Sequence, residues 1–415
     1  MLTRRDFVKG GVALVSIGTT AQSLLKGAVA FAAQNSSAVV DPANKKTLVL
    51  VQLAGGNDGL NTLVPGSDPS YRSARATLGI AENAVLPLGE GFGLNPALTG
   101  MKGLWDAGKL AVVRGVGYPG QNYSHFKSMA IWQAGDPKME LDNGWLGRTL
   151  EQLESDEHDP FLGFNAGGST PEEMRTPKVA VPSVRSPGDY GVKVGGRLAD
   201  PGHARTATML KLYEQYPSAS PYGALLETTV ETAMSSSRLL QEADRAYTPA
   251  VEYPDSSFGS GLSVLAEAIV GNLGMRAGHI TLGGFDTHNN QATEHTALME
   301  TLDSGLTAFH HDLEAHGKAD DVLVLTWSEF GRRVAENGNG GTDHGAGSVL
   351  FALGNGVRGG LYGDAPDLAA LVDDGNVPYT TDFRRVYATV IDGWLGVPHE
   401  ELLGQRWEQL GFIAA

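Results

Sequence analysis

Five short polar stretches carry the residues able to do chemistry: Gly55-Gly56-Asn57-Asp58-Gly59-Leu60-Asn61, Tyr123-Ser124-His125-Phe126, Gly284-Phe285-Asp286-Thr287-His288-Asn289, Ser328-Glu329-Phe330-Gly331-Arg332 and Thr342-Asp343-His344-Gly345. Each offers a carboxylate, an imidazole or a hydroxyl. Cysteine is absent, so disulfides, thiolate metal sites and cysteine nucleophiles are excluded. Any metal must be held by His, Asp, Glu or Asn. Such hard oxygen and imidazole ligands suit Zn, Mn, Mg, Ca or Fe, and Asp286-x-His288 places two of them on one extended loop, pointing to the same side. Taken singly each residue has an ordinary structural use: Asp58 as a cap, Glu329 as the ion-pair partner of Arg332 or Arg333, His288 and His344 as loop caps. Their convergence is what points to function.

Ser124 precedes a helical stretch that reaches Ala134, where a serine serves as an N-cap or as a nucleophile whose anionic product the helix N-terminus stabilises. The two uses are compatible. Gly115-x-Gly117-x-x-Gly120 mimics a dinucleotide fingerprint, but Pro119 interrupts it and no second strand ends in an acid at the required distance. No Gly-x-Ser-x-Gly elbow occurs either.

The elements that must position these stretches are short apolar runs over Thr47–Leu53, Leu110–Val116, His279–Leu282, Val322–Thr326 and Ser348–Leu353. Runs that are apolar throughout suit a sheet covered on both faces, which predicts an α/β fold with a largely parallel central sheet between two helical layers. Helices are predicted over Ser124–Ala134, Arg205–Gln215, Leu225–Ala246, Leu262–Met275, His295–Ala315 and Asp382–Leu395. In open sheets of this kind ligands bind beyond the carboxyl ends of the strands, where the polar stretches fall. The span Gly144–Pro254 carries few chemical motifs and reads as a helical insertion or cap, while Asn337–Gly341 reads as a flexible loop.

Hydrophobic residues at 41% and charged residues at 19% mark a globular chain, and 55 glycines in 415 residues point to many close-fitting loops. A net charge of -16 with no basic block argues against nucleic acid and anionic lipid as partners. The N-terminus begins Thr3-Arg4-Arg5-Asp6-Phe7-Val8-Lys9, a twin-arginine pattern, followed by a weakly apolar stretch that ends in the alternating small residues Ala28-Val29-Ala30-Phe31-Ala32. Residues 1–33 are therefore expected to be a removable signal, read by the twin-arginine translocase and cleaved near Ala30 to Ala33, and 34–46 a linker. A single domain over 47–415, with an insertion at about 144–254, would then work in the periplasm or beyond, with no stable membrane span after cleavage.

Together these stretches resemble a twin-arginine-exported bacterial family of unknown function (domain of unknown function 1501) placed in the alkaline phosphatase and sulfatase superfamily. The resemblance covers about Lys46 to Gly396. It implies an alkaline phosphatase-like three-layer sandwich and one or two divalent cations (Zn, Mn, Mg or Ca) at the strand ends. Asp58, Asp286, His288, Glu329 and His344 stand where that superfamily has metal ligands, with Asp343 assisting. Ser124, His125 and Ser128 all fall near the first helical turn that carries the nucleophile, and no flanking residue selects among them; Ser124 and His125 are taken as the catalytic pair. Asn57, Asn61 and Arg332 are expected at the substrate. Glu329-Phe330 replaces the superfamily's Asp-His pair and removes one imidazole. The implied activity is metal-dependent hydrolysis of an anionic phosphate or sulfate ester. The alternative is a superfamily member that has lost the chemistry and serves binding or assembly in the cell envelope.

Overall fold

The first strand, Thr47–Ala54 (β1), is buried on both sides: Val49, Val51 and Leu53 join one hydrophobic core, Leu48 and Leu50 the other. Side chains alternate across a strand, so a run apolar throughout must be covered twice. In the computed structural model of the protein, residues 45–154, 159–194, 197–198, 223–373 and 375–414 are described, with residues 204, 206–208 and 211 between them. The expected signal over 1–33, the linker as far as residue 44 and most of the helix expected at Arg205–Gln215 lie outside the described residues.

β1 sits within an eight-stranded sheet. Its other members are Leu110–Gly117 (β5), Gly163–Asn165 (β6), Ala277–Gly283 (β9), Val322–Trp327 (β10), Ser348–Leu353 (β13), Gly360–Tyr362 (β14) and Thr381–Asp382 (β15). The order is β14-β5-β13-β10-β1-β9-β6, with β15 beside β14 on β5. β1 pairs in parallel with β10 (Gln52 opposite Trp327) and with β9 (Ala54 opposite Gly283). β13 alone is reversed, antiparallel to both β10 and β5. Smaller sheets are formed by Leu63–Val64 (β2), Leu86–Gly89 (β3) and Phe92–Leu94 (β4), by Lys193–Val194 (β7) and Arg197–Leu198 (β8), and by the hairpin Gly331–Glu336 (β11) and Thr342–Gly345 (β12).

The helices are Gly59–Thr62 (α1), Pro69–Ala74 (α2), Thr99–Asp106 (α3), His125–Ala134 (α4), Trp145–Leu153 (α5), Gly223–Ala246 (α6), Ser257–Val270 (α7), Gln291–Ala315 (α8) and Phe383–Val390 (α9). On one face of the sheet α8 lays down Met299, Leu302, Leu306, Phe309 and Leu313, a stripe at helical spacing, beside Phe258, Leu262 and Leu265 of α7. On the other face Trp132 of α4 stacks on Phe383 of α9 at 4.5 Å, and Trp145 of α5 on Tyr387 at 4.2 Å. The expected α/β fold, with a largely parallel sheet between two helical layers, is the one observed.

Several boundaries differ from expectation for local reasons. α7 starts at Ser257 because the Ser256 hydroxyl accepts the Gly259 N–H, and it stops before Asn272, whose φ of 53° reverses the chain. The helix expected to run to Leu395 changes to a π-helical turn at Ile391–Leu395, closed by Gly396. The span expected as an insertion is partly built into the sheet domain: α5 packs on the sheet and β6 extends it beyond β9. The Asn337–Gly341 loop is an ordered hairpin turn, in which Asn337 Oδ1 accepts the N–H groups of Asn339 and Gly341. No helix among the described residues is long and apolar enough to cross a membrane.

Candidate metal centre

β1, β5, β9 and β10 all end on the same edge of the sheet, and the chain turns polar after each of them. Gly55 takes φ +124° after β1, and a Cβ there would lie 2.4 Å from the Asp286 nitrogen, so only glycine lets the loops after β1 and β9 touch. Asp286 and His288 come after β9, Ser328 and Glu329 after β10, and His125 opens α4 after β5. His344 reaches the same edge by another route. It lies on β12, ahead of β13, and because β13 runs backwards its beginning sits where its neighbours end.

Four side chains meet there. Asp286 Oδ1 lies 3.0 Å from His344 Nε2 and 3.1 Å from His288 Nε2, and the two imidazole nitrogens are 3.0 Å apart. His125 Nε2 lies 3.5 Å from Asp286 Oδ2, and His125, Asp286 and His344 offer ligand atoms all within 4.8 Å of one another. Bonds of about 2.1 Å at tetrahedral or octahedral angles require donor atoms about 3.0–3.4 Å apart, which is the spacing found.

The protons decide what these contacts mean. His344 Nδ1 lies 2.8 Å from the Tyr123 carbonyl, His125 Nδ1 2.8 Å from Glu329 Oε1, and His288 Nδ1 3.4 Å from Asp343 Oδ1. Each of these oxygens only accepts, so a neutral ring that donates to its oxygen through Nδ1 turns the Nε2 lone pair toward Asp286. Burial holds the His344 ring below the usual imidazole range. Burial pushes the Asp286 carboxyl up, but the Arg332 guanidinium hydrogen-bonded to it outweighs this and holds its pKa at about 2. With the rings in that form, three lone pairs and a carboxylate face one another. Left alone they repel; a cation satisfies all four, and the residues present fit a divalent metal ion.

The remaining expected residues are placed differently. Glu329, expected as a ligand, is fully buried and accepts from His125 and from the Gly55 N–H at 3.0 Å, so it supports a ligand instead. Asp343, which is exposed, lies with Oδ1 3.4 Å from His288 Nδ1, and Asn337 Nδ2 sits 3.3 Å from the same oxygen. His125, expected beside Ser124 as a catalytic group, has both ring nitrogens engaged and lies among the groups that could hold a metal ion. Asp58 is not among the converging groups. It caps α1 through the Leu60 and Asn61 N–H groups, pairs with Arg75 at 2.5 Å and accepts from Gln291. Burial raises its carboxyl, but Arg75 wins and holds it below the usual range.

Asn57, Asn61 and Arg332, expected at the substrate, are buried in framework roles. Asn57 accepts from Thr62 and contacts His295 at 3.1 Å, while Asn61 accepts from Tyr71 and Arg75. Arg332 spends its donors on the carbonyls of Gly55, Gly56, Phe285 and Thr342 and, at 2.8 Å, on Asp286, which it holds in place. Ser124 is exposed as the N-cap of α4, and its hydroxyl makes no capping bond. Ser128 is buried against Tyr118 and the Glu329 carbonyl, which leaves Ser124 as the accessible hydroxyl of that turn.

Three supporting groups are not predicted from the sequence: the Tyr123 carbonyl, Arg75 and Gln291. A signal for Gln291 existed. It shares the buried stripe of α8 with His295, Met299 and Leu302, where a polar residue needs a partner.

The family model described as "Protein of unknown function (DUF1501)" matches residues 111–406, more than half of the chain. The chain belongs to that family. The matched span holds Ser124 and all four converging side chains of this DUF1501 protein, while β1 and Asp58 precede it. No curated protein matches it in sequence. Among solved structures it is similar to the PsFucS1 sulfatase from Pseudoalteromonas sp. (12% identity, 88% of this chain and 70% of that one, TM-score 0.38). It is also similar to a protein of the alkaline phosphatase superfamily from Vibrio parahaemolyticus (10% identity, 93% and 78%, TM-score 0.38). A third is the C-terminal periplasmic domain of EptC from Escherichia coli in complex with Zn (8% identity, 77% and 75%, TM-score 0.37). These are distant likenesses.

Proposed function

We propose that this DUF1501 protein is an exported hydrolase of anionic phosphate or sulfate esters that works at one divalent cation held by His125, Asp286, His288 and His344. The observation that carries the reading is the triangle of Asp286 Oδ1, His288 Nε2 and His344 Nε2, with edges of 3.0, 3.1 and 3.0 Å. A divalent cation bound there supplies Lewis acidity and offsets the charge of the ester. Three imidazoles suit Zn or Mn better than Mg or Ca, which prefer oxygen. With Glu329 and Asp343 engaged behind the ligands, the donor set supports one cation and not a pair.

The chain's own residues supply the nucleophile and its setting. Ser124 Oγ is exposed at the start of α4, one residue from His125. In the proposed reaction the Ser124 hydroxyl loses its proton to water as Oγ bonds to phosphorus or sulfur, and the ester oxygen departs with its electron pair and takes up a proton. A water oxygen then bonds to phosphorus or sulfur, the bond to Oγ breaks, and Oγ regains a proton from that water. The first-turn N–H groups of α4, which the Ser124 side chain does not cap, face an anion favourably. Arg332 keeps Asp286 ionised and aimed. The twin-arginine segment supports passage to the periplasm.

The test is elemental analysis of the exported protein beside a panel of aryl phosphates and sulfates assayed with added Zn, Mn, Mg or Ca. We expect about one cation per chain, turnover lost on chelation, and a fall of at least ~100-fold in kcat for Ser124→Ala. A chain that binds no cation and turns over none of the esters would falsify the reading.

A further inference from the structure

A single buried amide touches the two loops that carry Asp286, His288 and His344. Gln291, the first residue of α8, is fully buried. Its Oε1 accepts from the hydroxyl of Thr287 at 3.1 Å and from that of Thr342 at 2.7 Å, and its Nε2 donates to Asp58 Oδ2. Thr287 stands between Asp286 and His288; Thr342 stands two residues before His344. The amide cannot turn over. Asp58 is ionised beside Arg75 and only accepts, so Nε2 must face it and Oε1 must face the two hydroxyls. Asp58 is in turn fixed by Arg75, whose Nε and Nη2 donate to the Val334 and Arg333 carbonyls of β11 at 2.9 and 3.0 Å. The loops have no slack of their own, because a Cβ on Gly341 would fall 2.3 Å from the His288 carbonyl carbon.

We infer that Gln291 is a positioning residue, clamped by the Asp58–Arg75 pair, that sets the distance between the Asp286–His288 loop and the His344 hairpin and so determines cation affinity. The inference rests on the metal-centre reading and gives Asp58 a different role from that of a ligand. It accounts for a fully buried ion pair at this edge of the sheet: the charge on Asp58 orients an amide, and the amide gauges two loops.

The experiment replaces only the two hydroxyls, in Thr287→Val with Thr342→Val, a pair that keeps side-chain shape and leaves the Asp58–Arg75 pair intact. Zn affinity is measured by competition titration, the visible spectrum is recorded with Co in place of Zn, and urea unfolding of the metal-free protein is followed in parallel. The expected result is a 10–100-fold loss of Zn affinity with an altered Co spectrum, a loss of the size seen when groups behind metal ligands are removed. Thr342→Ser, which restores a hydroxyl, should recover most of the affinity. Unchanged affinity and spectrum in the folded double variant, whatever its unfolding midpoint, overturn the inference and leave the metal-centre reading intact. A native chain that binds neither Zn nor Co overturns both.

Discussion

The Nε2 atoms of His288 and His344 lie 3.0 Å apart, and the Nδ1 of each ring faces an acceptor, Asp343 or the Tyr123 carbonyl. Removing a ring and removing the group behind it should therefore differ in degree. His288→Ala is expected to abolish stoichiometric cation binding. Asp343→Ala, which only frees the ring to turn, should weaken binding about 10–100-fold. Competition titrations on the two variants decide this; equal losses would mean that Asp343 is itself a ligand.

Asp58 offers the complementary case. If it anchors Arg75 and Gln291, Asp58→Ala leaves a buried guanidinium unpaired and should cost about 3–5 kcal/mol of stability even in metal-free protein. Urea unfolding after chelation provides the measurement. A metal-free variant as stable as its parent would return Asp58 to the ligands.

Ser124 separates catalysis from capping. A serine N-cap normally contributes about 0.5–2 kcal/mol, but this hydroxyl makes no capping bond. Ser124→Ala should thus move the unfolding midpoint little while turnover of an aryl ester disappears. A large loss of stability together with preserved turnover would reverse the assignment.

A pH effect is expected far from the centre. Glu267 on α7 is 4% exposed, one of its carboxylate oxygens has no hydrogen-bond partner among the described residues, and burial, helped by the charge of Asp244, pushes its pKa up to about 8. The folded state then holds a proton that the unfolded chain releases near 4.5, so this group lowers stability progressively as pH rises from about 4.5 to 8, after which its effect is constant. Glu267→Gln should leave stability nearly unchanged at pH 5 and raise it by on the order of 2 kcal/mol at pH 9. Thermal unfolding at the two pH values gives the comparison, and an equal change at both would dismiss the charge as its cause.

Much of the frame was legible because a strand covered on both faces must be apolar at successive positions, as residues 48–51 and 322–325 are. Asp286, His288 and His344 were legible for a related reason: polar residues next to the ends of such strands have few structural uses in common. What stayed hidden was direction. Residue type does not reveal which oxygen points where, so Asp58, Glu329 and Asp343 looked alike until Arg75, His125 and His288 were seen to occupy them. Arg75 lies 17 residues beyond Asp58, after the short helix α2, and nothing in Ala74-Arg75-Ala76 distinguishes it from a solvated cation. The reversal of β13 was equally silent, since an apolar run reads the same in either direction.

His125 and Glu329 are 204 residues apart in the chain, and the strands that lead to them, β5 and β10, never touch; β13 lies between them. No fragment that stops short of residue 348 can hold α4 against the other ligands, because the strand that joins the two halves of the sheet has not yet been made. On the proposed function, cation capture would report completion: an ion held by these four side chains would bind the finished chain alone and stabilise only that state.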